Sequence, residues 1–499
     1  MTSPVASSAT PQAGESELLP GRWIAMVVML MAGFMNLIDV TIVNVAIPSL
    51  QTSLGASDAG IEWVVAAYIM AFALGLLPFG RLGDTMGRKR VFLTGVAGFT
   101  LASALCGLAP SIETLIAARV LQGIAGAMMT PQTLAIAQVI FPPRERGTAF
   151  ALFGLTAGLA AVCGPIVGGL LIGADVFGLG WRPIFLVNIP VGIAAVVAGL
   201  RFIPDIAGER QLGIDFGGIA LAGITIFLAV FPLIEGRGFG WPAWCFWMLA
   251  ASIPSAWLFV RWQYRQARLQ RPQLLPVTLL GNGAFMAGTA VSSVFFSAVP
   301  GFFFLFAIFL QVGFGFTPIQ SGLTTVPFSL GVLLASILSG RLGIRWTRQR
   351  MAIGSVMLVA SVVWLRLIAE NIGSSIEGMP FLGALALGGI GLGTTVSPLF
   401  QSVLGTVSGR DAGSASGGVQ AFQQVGGALG VTIMGQLFFG TLAAGTAAGL
   451  DRHQAFSDAL GTGLIYSILA YSVVVIGAMS MPTPQGGGGH RAAPAPAEA

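Results

Sequence analysis

The chain has 499 residues, of which 55% are hydrophobic and only 9% charged, against about 25% charged in a typical soluble domain. Mean hydropathy is +0.86, and no soluble domain hides that much apolar surface, because surface area falls too slowly with size. The composition excludes a water-soluble enzyme and identifies an integral membrane protein, and the length of its apolar runs makes the expected class all-α. The formal charge of +5 is then informative through its distribution between loops, and no nucleic-acid partner is expected.

Crossing ~30 Å of hydrocarbon takes about 20 apolar residues. Fourteen stretches suffice: 23–47, 61–80, 91–110, 112–135, 148–172, 183–203, 214–234, 243–262, 284–311, 318–340, 351–369, 379–404, 413–441 and 459–481. Their length and continuous hydrophobicity indicate helices, since barrel strands are shorter and alternate. The polar N-terminal segment 1–21 and the tail 483–499 have the composition of disordered cytoplasmic ends. Arg22 and the polar run before it argue against a cleaved signal peptide.

An even number of spans puts both termini on one side. Of the 24 lysines and arginines, Arg182, Arg237 and Arg452 face the other side, and Arg119 and Arg366 lie inside spans. The rest share the side of the termini. Cytoplasmic loops are enriched in these residues, so the expectation is a multi-pass cell (inner) membrane protein with both termini cytoplasmic.

Two of the basic segments are copies. "GRLGDTMGRKR" at 80–90 and "GRLGIRWTRQR" at 340–350 agree at six of eleven positions. An internal repeat of this kind indicates two homologous halves around a central site. The offset is too large for six helices, which makes spans seven and eight an insertion. The expected organisation is an N-terminal six-helix bundle over 22–203, two additional helices with their loops over 204–283, and a C-terminal six-helix bundle over 284–482.

Chemistry of other classes finds little support. Cys106, Cys163 and Cys245 form no disulfide or metal pattern. His453 and His490 are the only histidines, so no metal centre is expected. Lys89, the only lysine, is not in a phosphate-binding loop sequence. No cofactor, ATP hydrolysis or enzymatic activity is expected.

Three segments resemble the major facilitator superfamily, in particular its fourteen-span drug:proton antiporter branch of the EmrB/QacA type. "GRLGDTMGRKR" matches the motif between helices two and three, "GLAAVCGPIVGGLL" at 158–171 the antiporter motif of helix five, and "LIDVTIVNVAIPSL" at 37–50 the helix-one motif. The resemblance covers about residues 22 to 482. It implies a major facilitator fold that exports hydrophobic, cationic or neutral amphipathic small molecules by proton-coupled alternating access, as in multidrug efflux and antibiotic resistance. A dedicated exporter of one metabolite, antibiotic or lipid is the alternative on the same fold. The implied partners are a small-molecule substrate, protons and the lipid bilayer. A periplasmic adaptor and outer-membrane channel would join them if the host is Gram-negative, and the transport unit is expected to be monomeric.

In the first motif, Gly80, Gly83 and Gly87 permit a tight turn and close helix approach. Arg81, Asp84 and Arg88 suit charge-assisted hydrogen bonds between the halves, and the resemblance implies that these latch one face of the cycle. The second copy has Ile344 in place of Asp84, so the latch is expected to be asymmetric. In helix five, Gly154, Gly158, Gly164, Pro165, Gly168 and Gly169 make a bent, notched surface for close packing.

"NLIDVTIVNVAIP" at 36–48 places a carboxylate, Asp39, within an apolar run. Ionisable groups inside membrane spans are expensive and mark pathways and proton relays. Arg119, in "RVLQGIAG" of helix four, lies at a matching depth, roughly 10 to 12 Å below the outer surface at 1.5 Å per residue. Desolvation and a neighbouring cation act on an acid's proton affinity in opposite senses. A cycle that changes their distance is then expected to move a proton on and off Asp39, the alternative being a structural ion pair that only orients the two helices. Glu62, at the outer start of helix two, is a secondary coupling candidate. Arg366 lies near the end of its span, where a long side chain can snorkel.

The substrate surface is expected to be apolar and aromatic. "GFFFLFAIFLQ" at 301–311 offers Phe302, Phe306 and Phe309 on one stripe, with Phe303 and Gln311 elsewhere and lipid exposure for about half of the phenylalanines. Tyr68, Gln122, Gln401 and Gln423 are candidate polar contacts. One deep carboxylate favours monocationic or neutral cargo over dications.

Overall fold

The computed structural model describes residues 20–481 apart from 176, 177, 343, 344, 374, 375 and 377. Ile344 and most of the two polar ends lie outside the described residues. Among those described there is no strand, and fourteen helices are long and apolar enough to span a membrane. Eleven are continuous: α1 Arg22–Leu54, α2 Asp58–Met86, α3 Arg88–Gly107, α4 Ile112–Ile140, α5 Pro143–Gly173, α7 Phe216–Glu235, α8 Ala243–Arg268, α11 Thr347–Asn371, α12 Leu382–Leu404, α13 Ala412–Ala447 and α14 Arg452–Ser480. The others are interrupted: α6 as Pro183–Leu186 and Asn188–Phe202, α9 as Gly283–Ile308 with a π turn over Phe309–Gly313, and α10 as Pro318–Thr324 and Val326–Leu342.

Each helix corresponds to one predicted span, but the ends differ. α1 runs to Leu54 and does not stop at 47, which puts Asp39 further from its end than the depth estimate assumed. The basic segment 80–90 is not a loop. Helix continues through Met86, and Gly87 alone joins α2 to α3, with φ 100°, a left-handed region that favours glycine. Polar residues at the interface do not end a helix, because its backbone hydrogen bonds are internal and do not depend on the solvent.

Packing repeats between the halves. In the first, α1 packs on α5 and α6, α2 on α4, and α3 on α4 and α6; in the second, α9 packs on α13 and α14, α10 on α12, and α11 on α12 and α14. The two sets are related by a shift of eight helices, so the fold is two six-helix bundles plus α7 and α8. The bundles meet along two seams, α2 on α13 and α5 on α10. The inserted pair occupies only the first, where α7 packs on both α2 and α13 and α8 packs outside α7.

Small residues set the seam distances. A side chain at Gly80 would sit 2.4 Å from the Gly413 carbonyl oxygen, and one at Gly417 2.4 Å from that of Leu76. At the other seam a side chain at Gly340, in the second copy of the repeat, would meet the Thr148 hydroxyl at 2.5 Å. Backbones in lipid approach this closely only where the interface lacks side chains.

A buried proton-site candidate and an interface latch

Five helices converge on Asp39, which is fully buried, as is Arg119. α4 starts on a capping box between Ser111 and Thr114, which fixes its first turn and brings Arg119 round to face α1 and α2. One guanidinium nitrogen of Arg119 donates to Asp39 Oδ2 and, at 2.8 Å, to Gln122 Oε1. Its Nε donates to the Val64 carbonyl at 3.1 Å, and the guanidinium lies 4.2 Å from the centre of the Tyr68 ring.

The other carboxylate oxygen, Oδ1, accepts from Gln122 Nε2 at 2.7 Å and from Asn188 Nδ2 at 3.3 Å. Both amides also donate to Ser103 Oγ, at 3.2 Å and 2.9 Å. Tyr68 donates to Asn36 beside this cluster. A buried ion pair gains stability only when hydrogen bonds satisfy its remaining lone pairs, and breaking one by removing a partner costs about 3–5 kcal/mol. Here Asp39 has donors on both oxygens. Gln122 and Tyr68, expected as substrate contacts, belong to this network.

The second constellation joins the halves on the face that carries both described ends of the chain. Asp84 Oδ1 accepts from the backbone of Gly413 at 2.9 Å, and Oδ2 accepts from Ser414 N at 2.7 Å and Ser414 Oγ at 2.9 Å. A carboxylate is stabilised at a helix N-terminus by the unpaired N–H groups and the dipole there. Arg88 donates to Asp84 Oδ1 at 2.8 Å and to the Gly409 carbonyl. Arg81 lies 3.7 Å from Asp411. Gln138 of α4 reaches the carbonyls of Leu404 and Val407 at 2.6 and 3.1 Å. Gly83 faces inward, where a side chain would overlap Gln132 at 2.0 Å.

α5 presents its glycines to two partners. Gly164 and Gly168 face α1, where added side chains would come within 1.9 Å of Thr41 Oγ1 and 2.8 Å of Ile42. Gly154, Gly158 and Gly169 face Val396, Val332 and Ile319 of the second half. Pro165 lies within the helix. α5 thus couples the helix that carries Asp39 to the opposite bundle.

Residues 29–307 match the Major Facilitator Superfamily. The chain belongs to that family. It is 40% identical over 431 residues to a probable actinorhodin transporter of Streptomyces coelicolor, covering 86% of this chain and 75% of that one. It is 32% identical over 433 residues to the tetracenomycin C resistance and export protein of Streptomyces glaucescens, covering 86% and 77%. Its fold is similar to that of the human organic anion transporter MFSD10, with a TM-score of 0.61 at 17% identity over 91% of this chain and 99% of that one. As a member of the superfamily the chain is a multi-pass membrane protein and a secondary transporter of small molecules, not an enzyme.

The remaining candidates of this facilitator lie apart from the Asp39 cluster. Glu62 is exposed at the far end of α2, beside the segment joining α7 to α8. Phe302, Phe306 and Phe309 are buried, so the expected lipid exposure does not apply to them. They stack in sequence, with centroids 5.7 and 6.3 Å apart. With Phe303 and Phe328 they fill the interior of the second bundle, because a bundle core takes the large side chains that a lipid-facing stripe leaves outside. Gln401 donates to Ser397 at 3.0 Å, Gln423 donates to Ser292 at 2.7 Å, and Gln311 is half-buried in the π turn. Arg366 forms an exposed 2.7 Å pair with Glu370. In the second copy of the repeat, Arg350 donates to the Ser339 carbonyl at 2.9 Å.

Sequence reading missed Ser103 and Asn188, neutral polar residues in apolar spans, and the aromatic contact between the halves. Phe400 of α12 lies 6.0 Å from Phe150 and 5.8 Å from Phe153 of α5, and 6.0 Å from Phe296 of α9.

Proposed function

We propose that this chain is a proton-coupled exporter of hydrophobic, cationic or neutral amphipathic small molecules. It acts in the cell (inner) membrane with both termini cytoplasmic, the orientation favoured by its arginine distribution. The observation that carries this reading is the buried Asp39–Arg119 pair. A carboxylate among five helices, with donors on both oxygens, is a group whose protonation alters helix packing directly. Exchange of its proton against a cargo cation couples the two fluxes.

Asp84 and Arg88 act as the cytoplasmic latch. The bonds of Asp84 to α13 and of Arg88 to the Gly409 carbonyl just before it support a state closed toward the cytoplasm, and opening requires that the α13 N-terminus leave the carboxylate. The glycines of α5 keep the opposite side tight during this exchange. Aromatic contacts at the seam, Phe153, Phe296 and Phe400, offer sites for apolar cargo, and the transport unit is one chain. Whether a periplasmic adaptor joins it depends on the host envelope.

A dedicated exporter of one antibiotic is the second reading, favoured by relatives named for transport or export of single compounds, actinorhodin and tetracenomycin C. A survival assay with a panel of toxic compounds separates them: broad protection supports multidrug efflux, and protection against one compound supports the dedicated exporter.

A further inference from the structure

The sixth span is broken beside Asp39, and the residue at the break touches the carboxylate. Pro190 has no N–H to offer the Leu186 carbonyl. α6 is interrupted at Val187, and Asn188 starts its second piece. Beside this break Ser103 of α3 donates to the Phe185 carbonyl at 2.9 Å, one residue before the carbonyl that Pro190 leaves without its helical donor.

That bond has a consequence for the amides. A serine hydroxyl has one proton, and Ser103 gives it to Phe185, so toward Asn188 and Gln122 its oxygen only accepts. Both amides must therefore turn their NH₂ groups to Ser103, and the same NH₂ groups reach Asp39 Oδ1. Oδ2 is taken by Arg119. Among the described residues, the titratable or charged groups acting on Asp39 are Arg119 on α4, Tyr68 on α2 and Cys106 on α3. The Cys106 thiol donates to Gln122 Oε1 at 3.4 Å and the Tyr68 hydroxyl to Asn36. Among the described residues, the side chains that hydrogen-bond to the Asp39 carboxylate are all donors, so none offers an acceptor for an acid proton and each contact suits the ionised form.

We propose that Asn188, braced by Ser103, is a positioning residue for the proton site: it holds Asp39 ionised and ties protonation to the break in the sixth span. This rests on the reading of Asp39 as the coupling acid. A proton arriving at Asp39 from water makes an O–H that needs an acceptor. Turning the Asn188 amide over supplies its carbonyl oxygen and breaks the bond to Ser103, at the point where α6 is not held by a continuous helical ladder. Protonation thus reaches α6 and, through Ser103, α3.

Infrared titration of the full-length protein in lipid tests this without any cargo. The protonated-carboxyl band that disappears in Asp39→Asn reports Asp39, and its pH midpoint is compared in wild type, Asn188→Leu and Ser103→Ala. A hydrogen bond to a charged group corresponds to about one to two pH units, so Asn188→Leu is expected to move the midpoint toward alkaline pH by about that much. Ser103→Ala, which removes a single oxygen, moves it the same way by less, and decides alone if Asn188→Leu does not insert. An Asp39-dependent band with an unmoved midpoint in the variants overturns the positioning role and leaves the proton site standing. Absence of any Asp39-dependent band overturns both.

Discussion

The Asp84 carboxylate accepts a hydrogen bond from Ser414 N at 2.7 Å, so an acid at the end of α2 caps a helix of the opposite bundle. Removing its charge weakens a cap that must form and break once per cycle. Asp84→Asn keeps one acceptor oxygen but loses the interaction with the helix dipole and with Arg88. A charge-assisted hydrogen bond is worth about 1.5–3 kcal/mol, and transport is expected to fall at least tenfold. Insertion and equilibrium binding of cargo are expected to stay near wild type. Rates in liposomes with matched protein amounts check this, and an unchanged rate removes the latch.

Gly80 tests the same interface by shape. Gly80→Val places a side chain against the Gly413 carbonyl, where backbone cannot give way. The face carrying the latch is expected to stay open, read as a longer distance between spin labels at the ends of α2 and α13, with transport lost. Gly223→Val, at a position with nothing within 4 Å, is expected to leave both readings unchanged.

Gly164 addresses the antiporter motif. Gly164→Ala forces α5 and α1 apart at Thr41, near Asp39, and overpacking of this kind typically costs about 1–3 kcal/mol. Lower thermal stability is expected together with faster proton leak in liposomes without cargo, measured with an entrapped pH dye. A tight variant with normal transport would contradict the sealing role.

Two arginines inside predicted spans are expected to behave differently. Arg366 and Glu370 are each more than a third exposed, and such pairs contribute little, so Arg366→Gln should transport as wild type. Arg119→Gln removes the counter-charge of a buried carboxylate. Protonation relieves that cost, so the pH profile of transport is expected to shift toward alkaline values. Equal behaviour of the two variants in a pH series would remove the special role of Arg119.

How much was legible in the sequence follows from which forces leave a local trace. Each span is a run of apolar residues, so all fourteen could be read, and the repeat at 80 and 340 exposed the two halves. Helix ends at the interface are set by internal hydrogen bonds that hydropathy does not report, hence the missed extensions of α1 and α2. Asp39 and Arg119 stood out because charges are rare in such runs. Ser103 and Asn188 did not: neutral polar residues are common in membrane helices, and Asn188 meets Asp39 only through folding, across 149 positions. The burial of Phe302 and Phe306 was also unreadable, since a lipid-facing stripe and a bundle core have the same composition.

The most direct test of the central claim is uphill transport by Asp39→Asn. Asparagine keeps the size and an acceptor oxygen but cannot titrate. The measurement is accumulation of a fluorescent hydrophobic cation, one the wild type concentrates, in liposomes with an imposed pH gradient and matched amounts of folded protein. Asp39→Asn is expected to equilibrate or bind the cation without concentrating it, at every pH tested. If the folded variant still concentrates it in proportion to the gradient, the coupling proton does not bind at Asp39, and Glu62 becomes the carboxylate to replace.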